Sequence, residues 1–167
     1  MQRILIIGSG GAGKSTLAVR LGQKLALPVV HLDRLYWVGN WQHLDRPAFR
    51  AVLEAELEKP AFIMDGNFDY TLPLRLSRCD TVLYLDYPTI VCLWGAVRRV
   101  VRYHGKTRPD MGGECKERFD PDFFRWVLHF RQKEAPRLAA ALDKAGPQVN
   151  ILRFTSRRQV ERYLQKI

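Results

Sequence analysis

The chain has no apolar run of ~18 residues, the length a helix needs to cross a bilayer. Its first apolar stretch, Ile4 to Ile7, is too short for the core of a secretory signal. No membrane partner is therefore expected, and a cytoplasmic location follows. Cysteine is scarce: Cys79, Cys92 and Cys115 are scattered, with no CxxC pair. That excludes a zinc knot or a disulfide framework and leaves packed, reduced thiols as the expectation. There is no internal repeat, no low-complexity segment and no helix-turn-helix signal. A guanine-reading NKxD is missing, which removes the GTPase class. Asp110-Met111-Gly112-Gly113 does fit DxxG, but it lies in a basic loop and follows no strand, so it is given no switch role. No second acid stands beside Asp65 or Asp86, which are followed by Gly66 and Tyr87. The hydrolytic base of a mechanical ATPase is thus not evident.

At 167 residues and 47% hydrophobic content, the chain suits one compact domain spanning residues 1–167. Short apolar runs alternate with helical patterns. The runs are Arg3–Gly8, Val29–Asp33, Ala61–Asp65, Thr81–Asp86 and Val149–Phe154. Helices are expected over Lys14–Ala26, Pro47–Glu58, Leu72–Arg78, Pro88 to about His104, and from Asp120-Pro121 to about Ala145. A closing helix follows Ser156. This alternation predicts an α/β fold: a five-stranded parallel sheet with helices on both faces, in three layers. Ligands gather at the carboxyl ends of such strands, where Gly8, Asp33, Asp65 and Asp86 all fall.

The richest stretch is Gly8-Ser9-Gly10-Gly11-Ala12-Gly13-Lys14-Ser15, followed by Thr16, which matches GxxxxGK[ST] between a strand and a helix. Small residues let backbone N–H groups converge on phosphates, and the helix N-terminus adds its positive end. Lys14 is expected to reach the β- and γ-phosphates, with the Ser15 hydroxyl on Mg²⁺. The formal charge of +10 fits either a polyphosphate ligand or a nucleic-acid backbone. With GTPases and mechanical ATPases set aside, a compact kinase remains, passing a phosphoryl group from ATP to a second small molecule. A nucleic-acid-associated ATP-binding regulator and an acceptor-independent NTPase are the rival classes.

These motifs carry a resemblance to the adenylate-kinase-like P-loop kinases. Asp65-Gly66 looks like the start of that group's DG-F-P-R stretch, but Asn67-Phe68-Asp69 follows it, without the Pro and the phosphate-gripping Arg. The chain is also similar to a bacterial group labelled DNA topology modulation (FlaR-like) proteins. That likeness is carried by His31–Asp33 (HLD), Asp65–Asn67 (DGN), Thr71–Leu76 (TLPLRL) and Lys106–Met111 (KTRPDM). The resemblance implies the P-loop kinase fold, ATP as donor and Mg²⁺ as cofactor. It also implies an acceptor-covering segment near residues 34–60 and a lid near 105–119.

Asp65 is the candidate metal carboxylate, acting through water. Asp33 is the candidate base for an acceptor hydroxyl, the competing reading being a helix cap before Arg34. Asp86 reads as a cap for the helix after Pro88. Arg98 and Arg102, four apart on one helix face, join Arg108 as candidates to steady the moving phosphoryl group. Tyr36, Trp37 and Trp41 would stack on an acceptor or pin a loop. Asn67 and Arg75 are possible acceptor contacts, Arg75 alternatively pairing with a surface carboxylate. His31 reads as structural.

Overall fold

A computed structural model describes all 167 residues. Its main sheet has the order β2 (Val29–His31), β5 (Phe62–Asp65), β1 (Arg3–Gly8), β6 (Thr81–Leu85), β7 (Asn150–Phe154), every pair parallel. Side chains alternate faces along each strand. Leu5, Ile7, Met64 and Val82 therefore form one core with α3 (Arg46–Leu57), α4 (Leu72–Leu76) and α7 (Ala135–Asp143). Ile4, Ile6, Ile63 and Leu83 form the other, with α1 (Lys14–Leu25), α5 (Thr89–Tyr103) and α8 (Arg157–Lys166). The expected three-layer α/β architecture is thus present. β1 is central, and its neighbours connect in opposite directions, so the turn after Gly8 opens at a topological switch point.

Caps set several helix starts. Asp45 accepts from Ala48 N at 2.8 Å, Asp120 from Asp122 N at 3.0 Å, and Ser156 from Gln159 N at 3.4 Å. The first of these opens α3, the second α6 (Pro121–Lys133), the third α8. The single helix expected from Pro121 to about Ala145 is two, α6 and α7. Pro136 explains the break, since it lacks an N–H and its ring crowds the preceding turn.

The second strand is shorter than expected. It ends at His31, and the chain turns at once into α2 (Leu32–Tyr36), so Asp33 lies in a helical first turn and not on a strand. Leu32 drives this turn by entering the core with no exposed surface. Side chains on a helix tilt toward its N-terminus, which aims Asp33 back over the sheet edge. The segment after Tyr36 forms an antiparallel hairpin, β3 (Trp37–Gly39) and β4 (Gln42–His43), that the alternation pattern did not suggest. No helix of the protein is long and apolar enough to cross a membrane.

Candidate active site

The glycine-rich turn works through close approach. Gly11 has φ +76°, and a Cβ there would fall 2.6 Å from Ala96 N. A Cβ on Gly95 would fall 3.0 Å from the Gly11 carbonyl carbon. The two glycines let α5 lie directly on the phosphate loop, so the arginines in its next turn are carried toward the same place. α1 begins at Lys14 with no acidic residue in its first turn, leaving its N–H groups free for an anion. Lys14 Nζ donates to the carbonyls of Gly8 and Ser9, at 2.9 and 3.0 Å. Burial pushes its pKa down, with Asp65 and Asp33 opposing that shift.

Gly10 through Thr16 line a cavity of about 620 Å³. Asp33, Asp65, Gly66, Asn67 and Phe68 line it as well. Arg98, Arg102 and Arg108 line it too, so they converge with Lys14, Asp33 and Asp65. Asp33 has no cap role: His31 occupies the N-cap, and no side-chain bond caps α2. Burial raises the Asp33 pKa, while Arg108 and Lys14 pull it back. Asn67 accepts from Gly8 N at 3.2 Å, tying the β5 loop to the start of the phosphate loop.

Other expectations are corrected. Asp86 caps nothing, since Pro88 is the N-cap of α5; Asp86 instead accepts from Arg153 Nε at 2.9 Å. Tyr36 stacks on His43 and packs edge-on against Phe49, while Trp37 and Trp41 pair with each other. None of the three lines the cavity; Phe68, Tyr103 and Trp126 do. Arg75 pairs with no carboxylate and does not line this cavity. It is fully buried and donates to the carbonyls of Gly66 at 3.1 Å, Phe68 at 3.3 Å and Asn67, and to Thr71 Oγ1 at 3.1 Å. Burial pushes its pKa down to about 10. Arg75 therefore moulds the 66–71 loop. Arg75→Ala would orphan those carbonyls, an expected loss on the order of 3–5 kcal/mol. Arg75→Lys should recover less than half, because one ammonium cannot replace a planar fork. The urea unfolding midpoint checks both.

Several site residues escaped the sequence reading. His31 sits opposite Asp65 in the β2–β5 register, and its Nδ1 lies 2.5 Å from Asp65 Oδ1. Burial disfavours the His31 cation, but the bond to Asp65 and the charges of Asp65 and Asp110 outweigh it, so the pKa is raised. Arg99 lines the cavity beside Arg98, lies over the Phe123 ring at 4.4 Å and pairs with Glu117 at 3.1 Å. Asp110, set aside with its DxxG, accepts from Ser15 Oγ at 2.9 Å.

The oxygen donors Ser15, Asp33, Asp65 and Asp110 share this one cavity. Nowhere do three or more His, Cys, Asp or Glu side chains gather as a metal cage. Sparse hard donors beside a phosphate loop fit Mg²⁺, which keeps several waters and leans on substrate phosphates.

Two solved structures share this architecture over nearly the whole chain. The shikimate kinase of Bacteroides thetaiotaomicron aligns with a TM-score of 0.59 and 20% identity, covering 99% of this chain and 95% of that one. The shikimate kinase of Acinetobacter baumannii, in complex with shikimate, aligns with a TM-score of 0.61 and 18% identity, covering 99% and 90%. The chain shares the fold of these two structures. No protein-family model matches the chain, and no curated protein matches it.

Proposed function

We propose that this protein is a Mg·ATP-dependent kinase whose acceptor is a small molecule presenting an uncharged hydroxyl group. Asp33 carries the reading. It is a desolvated carboxylate that feels the charges of Arg108 and Lys14 and lines the phosphate-loop cavity with them. In the reaction, an acceptor oxygen attacks the γ-phosphorus and its proton passes to Asp33. The bond from the γ-phosphorus to the β–γ bridging oxygen breaks, and ADP leaves. Lys14 holds the β- and γ-phosphates, and Arg98, Arg99, Arg102 and Arg108 face the charge that gathers on the moving group. Ser15 and, through water, Asp65 would hold Mg²⁺. The metal would neutralise phosphate charge.

The charge of the acceptor wall supports the finer reading. Asp33, Asp65, Gly66, Asn67 and Phe68 supply no cation to the cavity, and Arg75, the nearest by sequence, is consumed by backbone carbonyls. A phosphate or carboxylate on the acceptor would meet two carboxylates there, while the cations that act on Asp33, Arg108 and Lys14, are given to the donor phosphates in this reading. The arginines also converge on the phosphate loop and do not form a surface stripe, which favours a nucleotide over a nucleic-acid backbone.

The test is ADP release with Mg·ATP across nucleosides, their 5′-monophosphates, neutral polyols and shikimate. Release should depend on a neutral acceptor, with kcat/KM at least tenfold above that for its matched anion. Equal or better use of the anion would overturn the acceptor class. Release indifferent to every acceptor would overturn the kinase.

A further inference from the structure

Ser15 and Asp110 lie 95 residues apart in sequence, yet the Ser15 hydroxyl donates to Asp110 Oδ2 at 2.9 Å. A hydroxyl has one proton and two lone pairs. With its proton committed to a carboxylate, Ser15 presents lone pairs to whatever lies in the cavity, and the charge-assisted bond makes that oxygen a better cation donor. The strand-end carboxylate, Asp65, does not take this role: its Oδ1 is engaged by His31, and it makes no bond to Ser15.

Asp110 is held in place from several directions. Arg108 Nη1 donates to the same Asp110 oxygen at 3.0 Å. Glu117, itself buried, lies 2.8 Å from Arg108 Nε and 3.1 Å from Arg99 Nη2, locking the loop to α5. Backbone bonds between Gly105 and Glu117, and between Glu117 and Lys106, close the base of the 105–119 segment at 2.9 Å each. Its far end packs against α2 and the hairpin: a Cβ on Gly112 would fall 2.5 Å from the Arg34 carbonyl oxygen in α2. Gly113, at φ +56°, sits where a Cβ would fall 2.5 Å from Gly39 Cα.

We infer that Asp110 is a positioning residue that orients the Ser15 hydroxyl toward the Mg²⁺ of bound nucleotide, so that the 105–119 segment helps to build the metal site. The inference rests on the kinase reading above. It gives the segment a task besides carrying arginines. Because Arg108 shares the Asp110 oxygen, the guanidinium facing the phosphoryl group and the hydroxyl facing the metal are set by one carboxylate.

Removing a partner that orients a metal ligand typically costs ~10–100-fold in metal affinity. Calorimetry of ADP binding, once with Mn²⁺ and once with EDTA, separates that effect from structural damage. Asp110→Ala should lose at least tenfold of the affinity gain that Mn²⁺ confers, and Asp110→Asn a smaller part. Both should bind metal-free ADP within about twofold of wild type. In a Ser15→Ala background, Asp110→Asn should add no further loss, because residues acting through one group are not additive. A retained Mn²⁺ gain, an equal loss with and without metal, a tighter Mn²⁺ complex or additive losses would each overturn the inference. If wild type binds ADP in neither condition, the kinase reading itself fails.

Discussion

Lys14→Ala should lower phosphoryl transfer by at least ~10²–10³-fold, the scale for removing one preorganised donor from a transition-state oxyanion. The physical case starts with burial. Lys14 is desolvated at the start of α1, and burial drives its pKa down while Asp65 and Asp33 sustain the cation. Such an ammonium interacts with phosphate far more strongly than one in bulk water. Its Nζ already lies 2.9 and 3.0 Å from the Gly8 and Ser9 carbonyls, so little reorganisation separates it from a phosphate oxygen in the same loop. The fold should survive, because Lys14 belongs to no core cluster and its loss orphans two carbonyls at a cavity wall. A thermal midpoint within a few degrees of wild type, with ADP formation reduced to background, is the expected pair of results. Near-wild-type turnover would remove the phosphate loop from the chemistry.

The phosphate loop and the sheet are readable from sequence because their signals are local. A strand, a glycine turn and Lys-Ser-Thr are contiguous, and five apolar runs announce five strands. Their parallel direction then follows from alternation with helices. The hairpin is harder. Its turn signal is Gly39-Asn40, but the next positive-φ residue is Trp41, at φ 59°, and tryptophan does not announce a turn. The helical turn at Asp33 is hidden for a different reason. Leu32 looks like one more strand residue, and only the core beneath α2 decides that it turns inward.

Site residues divide along the same line. Gly10–Thr16 are marked by their motif, Asp65 by the end of a strand and Asp33 by following an apolar run. Arg98 and Arg102 are marked by helical spacing, but Arg99 is one residue round the helix and faces the cavity because Phe123 and Glu117 receive it. Asp110 meets Ser15 only once the 105–119 segment folds across the loop, and nothing within either segment encodes the other. Arg75 shows the opposite failure. In Leu-Pro-Leu-Arg-Leu it looks like a surface cation, yet it is the largest fully buried side chain, because the loop it serves turns its carbonyls inward.

Asp33→Asn should depress kcat by ~10²–10⁴-fold, the usual contribution of a positioned acid or base. ATP affinity should change little. The substitution keeps size and removes the ability to accept the acceptor's proton. The pH dependence makes the claim sharper. Burial raises the Asp33 pKa above its ordinary 3.8, despite the opposing pull of Arg108 and Lys14. A base must be ionised, so wild-type kcat should fall with acid on a limb centred above 3.8, and Asp33→Asn should lack that limb. Stability should move the other way. A carboxyl whose folded pKa is raised holds its proton longer in the native state, so native stability falls as pH rises from 3.8 through the folded value. Asp33→Asn removes that penalty and should melt higher than wild type at neutral pH, with no advantage below 3.8. Slower chemistry joined to a higher midpoint would mark a charge kept at the site for its reactivity. An unchanged kcat would remove Asp33 from the reaction, whatever happens to the melting temperature.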